Sequence, residues 1–119
     1  FLYQCISIMN WINLDSKEQL NEVKELSKVK KVLIMKYSPS KGVDHIVMTL
    51  LEREWNEGEM RMKTYLLDTD VNVDLTKEID SELGLTDETP QVLILENSKA
   101  VFDGLHGKII FSEIRKYAN

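Results

Sequence analysis

Hydrophobic and polar positions alternate along this chain with two different periods, and the switches between them mark its elements. Trp11 to Leu14 reads as a short strand. Asp15 and Ser16 follow as N-cap candidates, and Ser16-Lys17-Glu18-Gln19 has capping-box spacing. Leu20, Val23 and Leu26 then recur on one helical face. That helix is expected to end in Lys28-Val29-Lys30-Lys31, where positive charge suits the negative end of the helix dipole. Val32-Leu33-Ile34-Met35 is nearly continuous in apolar residues, as in a strand buried on both faces. Ser38-Pro39-Ser40-Lys41-Gly42 is the loop that ends it.

Val43, Ile46, Val47, Leu50, Leu51 and Trp55 predict the core-facing stripe of a long amphipathic helix, with a stop at Asn56-Glu57-Gly58. Met60, Met62, Thr64 and Leu66 alternate with Arg61, Lys63, Tyr65 and Leu67, which predicts a strand from Met60 onward. Asp68 to Asp74 is an acidic connection, with Asp74 as the expected N-cap of a helix striped by Leu75, Ile79 and Leu83. Gly84 stands where a C-cap glycine belongs. Thr89-Pro90 precedes an apolar strand, Gln91 to Leu95. Glu96-Asn97-Ser98-Lys99 turns it into a hairpin partner at Ala100-Val101-Phe102. Asp103 to Lys108 reads as a glycine-containing loop, and Ser112 as the cap of a last helix carrying Phe111, Ile114 and Tyr117.

Alternating strands and helices followed by a hairpin and a helix imply an α/β sandwich with a mixed central sheet. The 119 residues fit one domain, expected over residues 9–119. Phe1 to Ile8 is apolar but short, lacks the basic start and cleavage site of a signal peptide, and precedes Met9, which would make a natural start. Residues 1–8 are therefore read as an extension. No apolar run approaches the roughly 18–20 residues of a membrane span. A formal net charge of -5 argues against electrostatically driven nucleic-acid binding. The single cysteine, Cys5, excludes an internal disulfide, a Cys-x-x-Cys pair and a cysteine zinc site. Absence of structural disulfides fits a reducing compartment.

The element order is that of thioredoxin, and local features sharpen the likeness. The apolar strand Val32 to Met35 runs through a loop into a helix N-terminus, and Thr89-Pro90 precedes the last pair of strands, where the superfamily keeps a cis-proline. Within that superfamily, residues 10–118 resemble the YtxJ-type single-cysteine bacilliredoxins of bacteria. Those proteins carry Lys-His-Ser-x-x-Cys-x-Ile-Ser, against Lys36-Tyr37-Ser38-Pro39-Ser40-Lys41-Gly42-Val43-Asp44 here. They also carry Glu-Ser-Pro-Gln before an apolar strand, against Glu88-Thr89-Pro90-Gln91 here, and a Ser-His pair matched in part by Leu105-His106. The resemblance implies a thioredoxin-like three-layer sandwich, a cytoplasmic protein of the bacillithiol system and no cofactor.

On this alignment Lys41 stands at the family's cysteine and Tyr37 at its histidine. Thiol exchange proceeds by thiolate attack on a disulfide sulfur, which lysine and the hydroxyls of Ser38 and Ser40 cannot perform. The expected function is a redox-inactive module that binds a protein or peptide, or else a low-molecular-weight thiol or small anion. Its expected site is Tyr37, Ser38, Pro39, Ser40, Lys41 and Gly42 together with Thr89 and Pro90, with no catalytic residue. Two alternatives stand beside it. One is a thiol-disulfide oxidoreductase working through Cys5. The other is a structural homodimer paired along the hairpin edge at Ala100 to Asp103.

Other constellations carry less. Asp68-x-Asp70-x-Asn72-x-Asp74 resembles the start of a calcium loop, but the required glycine is Val73 and the twelfth position is Ile79. A solvated acidic turn explains it. His45 and His106 are the only histidines, expected in separate surface segments, so no metal site is assigned. Met60-x-Met62 suits packing. Phosphate-loop and serine-hydrolase motifs are absent.

Overall fold

The computed structural model describes residues 9–118. Its elements are β1 (Trp11–Asn13), α1 (Lys17–Leu26), β2 (Val32–Tyr37), α2 (Gly42–Glu54), α3 (Glu57–Met60), β3 (Lys63–Asp68), α4 (Val73–Leu83), β4 (Gln91–Glu96), β5 (Lys99–Leu105) and α5 (Phe111–Ile114). 3₁₀ turns at His106–Lys108 and Arg115–Tyr117 flank α5. The strands form one sheet in the order β1-β3-β2-β4-β5. β1, β3 and β2 run parallel, β4 runs antiparallel to β2, and β5 antiparallel to β4. This is the mixed sheet that the thioredoxin-like order implies.

β2 and β4 are apolar on both sides because each feeds two cores. Leu33, Met35, Val92 and Ile94 join Met48, Leu51 and Trp55 of the α2 layer, with Met60 of α3 and Phe111 and Ile114 of α5. Val32, Ile34, Leu93 and Leu95 join Leu20 and Val23 of α1 and Ile79 of α4 on the opposite face. Helices thus cover both faces, giving three layers. Among the described residues no helix is long and apolar enough to cross a membrane.

Several boundaries match their local chemistry. The Ser16 hydroxyl accepts the Gln19 amide at 3.1 Å, and the Gln19 side chain reaches back to the Asp15 amide at 3.0 Å. Gly84 ends α4 with φ 69, a left-handed conformation that suits glycine. Asn97 and Ser98 both take positive φ in the β4–β5 turn. Their amides are held by the Ser27 carbonyl at 2.8 Å and the Ser27 hydroxyl at 2.8 Å, so the end of α1 supports the hairpin.

Other expectations are corrected. Met60 belongs to α3, not to a strand, because the Asn56 side chain caps the Glu59 amide at 3.0 Å and starts a short helix where a stop was expected. The strand begins only at Lys63, after Arg61 turns the chain at φ 51. Asn72, not Asp74, is the N-cap of α4, and Asp74 lies in its first turn. β5 continues through Asp103, Gly104 and Leu105, since these residues keep register with β4. Ile110, not Ser112, precedes α5, and the helical stretch at the C-terminus is one short α turn followed by a 3₁₀ turn. The largest correction concerns α2. Its buried residues are Asp44, Met48 and Leu51, with Trp55 at its C-cap, whereas Val43, Ile46 and Leu50 are exposed.

Candidate functional site

The parallel strands of the sheet end together, and the loop from Ser38 to Lys41 crosses their carboxyl ends before α2 begins. Two carboxylates hold this loop. Asp44, buried in the first turn of α2, accepts the Ser38 amide at 2.9 Å. Asp70, from the β3–α4 connection, accepts the Ser38 hydroxyl at 2.7 Å and the Ser40 amide at 3.1 Å. The Ser38 and Ser40 hydroxyls lie 2.9 Å apart. The Tyr37 carbonyl accepts both the amide and the hydroxyl of Thr69, at 2.9 and 3.2 Å, which ties the two connections together.

The Ser38 hydroxyl holds the Asp70 carboxyl below its ordinary value; burial opposes it, and the Ser40 contacts and the nearby Lys41 charge lower it further. Burial raises the Tyr37 phenol, and Asp68 and Asp70 raise it further. The phenol is therefore neutral at physiological pH.

Lys41 is the N-cap of α2 and makes no side-chain cap hydrogen bond. Its ammonium instead reaches across to donate to the Thr89 hydroxyl at 3.3 Å. Thr89 precedes Pro90, and the bond between them is cis. Lys41 thus joins the two halves of the expected site, the Tyr37–Gly42 loop and the Thr89–Pro90 segment. Pro39, Ser40, Lys41 and Gly42 are exposed, and Gly42 has open space where a side chain would be. The mouth presents an ammonium, hydroxyls and the free amides of a helix N-terminus.

Below this mouth lies a group that sequence reasoning missed. Lys36 on β2 is fully buried. Its ammonium donates to Asp80 of α4 at 2.6 Å, to the Thr86 carbonyl at 3.0 Å and to Gln91 of β4 at 2.9 Å. These contacts tie the α4–β4 connection, which carries Thr89 and Pro90, to the strand that carries the loop. The sequence placed Lys36 just after the apolar run Val32 to Met35, as the first residue of the motif compared with the bacilliredoxins, and gave no sign of its burial.

The acidic turn is occupied by its own chain. Asp68 accepts the Asp70 and Val71 amides, at 2.9 and 3.2 Å, and Asp70 holds the serine loop. Among the described residues no three His, Cys, Asp or Glu side chains come together as a metal site would need. His45 is exposed on α2, and His106 is exposed in the turn after β5. Cys5 lies outside the described residues.

The model of a known family, monothiol bacilliredoxin BrxC, matches residues 12–114. The chain belongs to the monothiol bacilliredoxin family. Unlike the thiol that this family is named for, the matched stretch holds no cysteine, since Cys5 lies before it. No curated protein matches the sequence. Among solved structures, a protein with a thioredoxin fold is 24% identical, covering 90% of this chain and 92% of its own, with a TM-score of 0.77. Thioredoxin from Trypanosoma brucei brucei is 13% identical over 91% of this chain and 87% of its own, with a TM-score of 0.71. Thioredoxin from Malassezia sympodialis is 15% identical over 93% and 90%, with a TM-score of 0.70. At these identities the likeness establishes the fold of this bacilliredoxin-family chain.

Proposed function

We propose that this bacilliredoxin-family protein is a recognition module of a thiol redox system that has lost exchange chemistry and binds an extended peptide at the Lys41–Pro90 mouth. The observation that carries this reading is an ammonium, hydrogen-bonded to Thr89, at the helix N-terminus of a family-matched stretch without a cysteine. Thiol–disulfide exchange needs a thiolate to attack sulfur and form a mixed disulfide. An ammonium and two hydroxyls offer charge and hydrogen bonds instead. A peptide laid against Thr89 and Pro90 would pair through its backbone. A carboxylate of that peptide would meet Lys41 and the unpaired amides of α2, where an anion is favoured. The absence of exchange chemistry, and residence in the reducing cytoplasm of a bacterium that uses bacillithiol, belong to the same proposal.

The test is a titration with short extended peptides ending in a free carboxylate, compared with their amidated forms. Carboxylate peptides should bind more tightly, and Lys41→Ala should weaken them about tenfold, a charge-assisted hydrogen bond being worth about 1.5 kcal/mol. Equal affinity for both peptide forms would remove the role of Lys41. Exchange is tested with a bacillithiol mixed disulfide on the parent and on Cys5→Ala. Turnover by the parent that disappears in Cys5→Ala would establish a redox enzyme instead.

A further inference from the structure

Three cations surround one hollow at the end of the sheet opposite the mouth. Asn10 precedes β1, Lys30 lies just before β2, and Arg61 and Lys63 flank Met62 at the start of β3. With Ile12 and Thr64 they line a cavity of about 330 Å³, near the small end of the roughly 300–1,000 Å³ of small-molecule sites. Parallel pairing builds it. β1 and β2 both run beside β3, so their amino ends meet there, with Trp11 opposite Thr64 and Val32 opposite Lys63. The Thr64 hydroxyl donates to the Asn10 carbonyl at 3.2 Å and fastens the start of β1 to β3. Met62 and Thr64 are buried, whereas Arg61 and Lys63 are exposed and Lys30 is half-buried. The floor is therefore apolar and hydroxylic, and the rim is cationic.

Charge sets this rim apart from the rest of the surface. The chain carries a formal net charge of -5, and elsewhere its cations stand beside carboxylates. Lys17 meets Glu78 at 3.1 Å, Lys28 meets Glu25 at 2.8 Å and Arg115 meets Glu59 at 3.0 Å. Among the described residues, Lys30, Arg61 and Lys63 have no ion pair. Arg61 donates from Nε to the Gly58 carbonyl at 3.1 Å, and its terminal nitrogens have no partner among the described residues. Phe1 to Ile8, the residues that lead into Asn10, contain no Asp or Glu to bring a counter-charge. Like charges gathered in this way repel, and an anion between them relieves the repulsion. A carboxylate brings one charge. A phosphate brings about 1.5–2 charges on one centre near neutral pH, with three strong acceptor oxygens. Arginine holds two of those oxygens at once, and lysine adds point charges.

We propose that the hollow between Lys30, Arg61 and Lys63 is a binding site for a small phosphate-bearing anion. The three cations hold the phosphate, and Asn10 and Ile12 are left for the group that carries it. The site lies at the amino ends of the parallel strands, and the Lys41–Thr89 mouth lies at their carboxyl ends. It therefore goes beyond peptide recognition and does not depend on it.

Amide-resolved NMR titration of the full chain provides the test, at low salt and near neutral pH, with reductant present. The probes are inorganic phosphate, ribose 5-phosphate and acetate. Three charge-assisted hydrogen bonds of about tenfold each correspond to a dissociation constant of about 1 mM for inorganic phosphate. Its shifts should centre on Ile12, Lys30 and Lys63, and acetate should bind at least about tenfold more weakly. Lys30→Gln and Lys63→Gln should each weaken phosphate about tenfold while circular dichroism stays that of the parent. Lys41→Ala should leave phosphate binding unchanged. Tighter binding of ribose 5-phosphate than of inorganic phosphate assigns the site to an organic phosphate, and equal binding assigns it to the free anion; both support the proposal. Equal affinity for phosphate and acetate overturns it, as does indifference to both lysine variants. Shifts at Gly42 and Thr89 that vanish in Lys41→Ala would place the anion at the mouth and equally overturn it. Carboxylate peptides that still bind when phosphate does not would leave the recognition reading standing while this one falls.

Discussion

Lys36 sits in a fully buried position with each of its three donors satisfied, one of them by the carboxylate of Asp80. A buried ion pair adds little over apolar packing, but breaking it strands a charge. Lys36→Met should therefore destabilise the fold by about 3–5 kcal/mol, because Asp80 and Gln91 lose their donor. Adding Asp80→Leu should recover part of that loss, since the stranded carboxylate is then gone. Urea titrations of the two single variants and the double variant measure the coupling, and a cycle that adds without coupling would show the pair to be incidental. Asp70 works by a different balance. Its carboxyl is held below the ordinary 3.8 first by the Ser38 hydroxyl, so it supports the serine loop fully above the ordinary carboxylate range. That support is lost as pH falls through the depressed folded value. The protection factor of the Ser40 amide, which donates to Asp70, should fall in this acid window in the parent, once its exchange rate is referred to the intrinsic rate at each pH. In Asp70→Asn the pH dependence should be absent; an identical acid response in both would remove Asp70 as its cause.

Much of the element order was legible because local chemistry and burial agree in most elements. Strands β2 and β4 are buried on both faces and read as continuous apolar runs, and the ends of α1 and α4 follow a serine cap and a left-handed glycine. Helix α2 was misread because periodicity locates an apolar stripe without saying what covers it. Its Val43, Ile46, Val47 and Leu50 form a stripe as regular as a core stripe, while the inward first turn is filled by Asp44, whose polarity hid its burial. The loop anchors were hidden for a similar reason. Asp70 reaches a serine loop 32 residues away, so the sequence, read locally with Asp68 and Asn72, suggested a solvated acidic turn and not an anchor. Lys41 was singled out, but only the fold brings it to Thr89. The end of β5 depends on packing that sequence spacing does not reveal. The Phe102 ring lies over Gly104, where an added Cβ would come within 2.9 Å of Cζ and 3.2 Å of the Lys108 Cβ. The same ring packs on Tyr117 at 5.3 Å between centroids. Gly104→Ala should push Phe102 off Tyr117 and cost about 1–3 kcal/mol, as overpacking does. Thermal unfolding measures the cost, and an unchanged midpoint would mean the ring moves aside freely.

At the scale of the molecule, the question is whether the scaffold still supports the chemistry its family is named for. Lys41→Cys asks it directly, by placing a thiol at the N-cap of α2. The free amides and dipole of a helix N-terminus stabilise a thiolate and lower its pKa from about 8.5. Asp44 and Asp70 act in the opposite direction, but both are engaged. Asp44 accepts the Ser38 amide, and Asp70 accepts the Ser38 hydroxyl and the Ser40 amide. The thiol should therefore titrate between about 7 and about 8.5, which alkylation rate against pH measures. The thiolate sulfur should then attack a mixed-disulfide probe, forming a new disulfide as the probe's old one breaks and its thiolate departs. Cys5→Ala in the same chain keeps the two thiols distinguishable. A midpoint above about 8.5 would mean that the two carboxylates outweigh the helix end. The loop would then have been remodelled around a positive charge, so that restoring sulfur alone does not restore its reactivity.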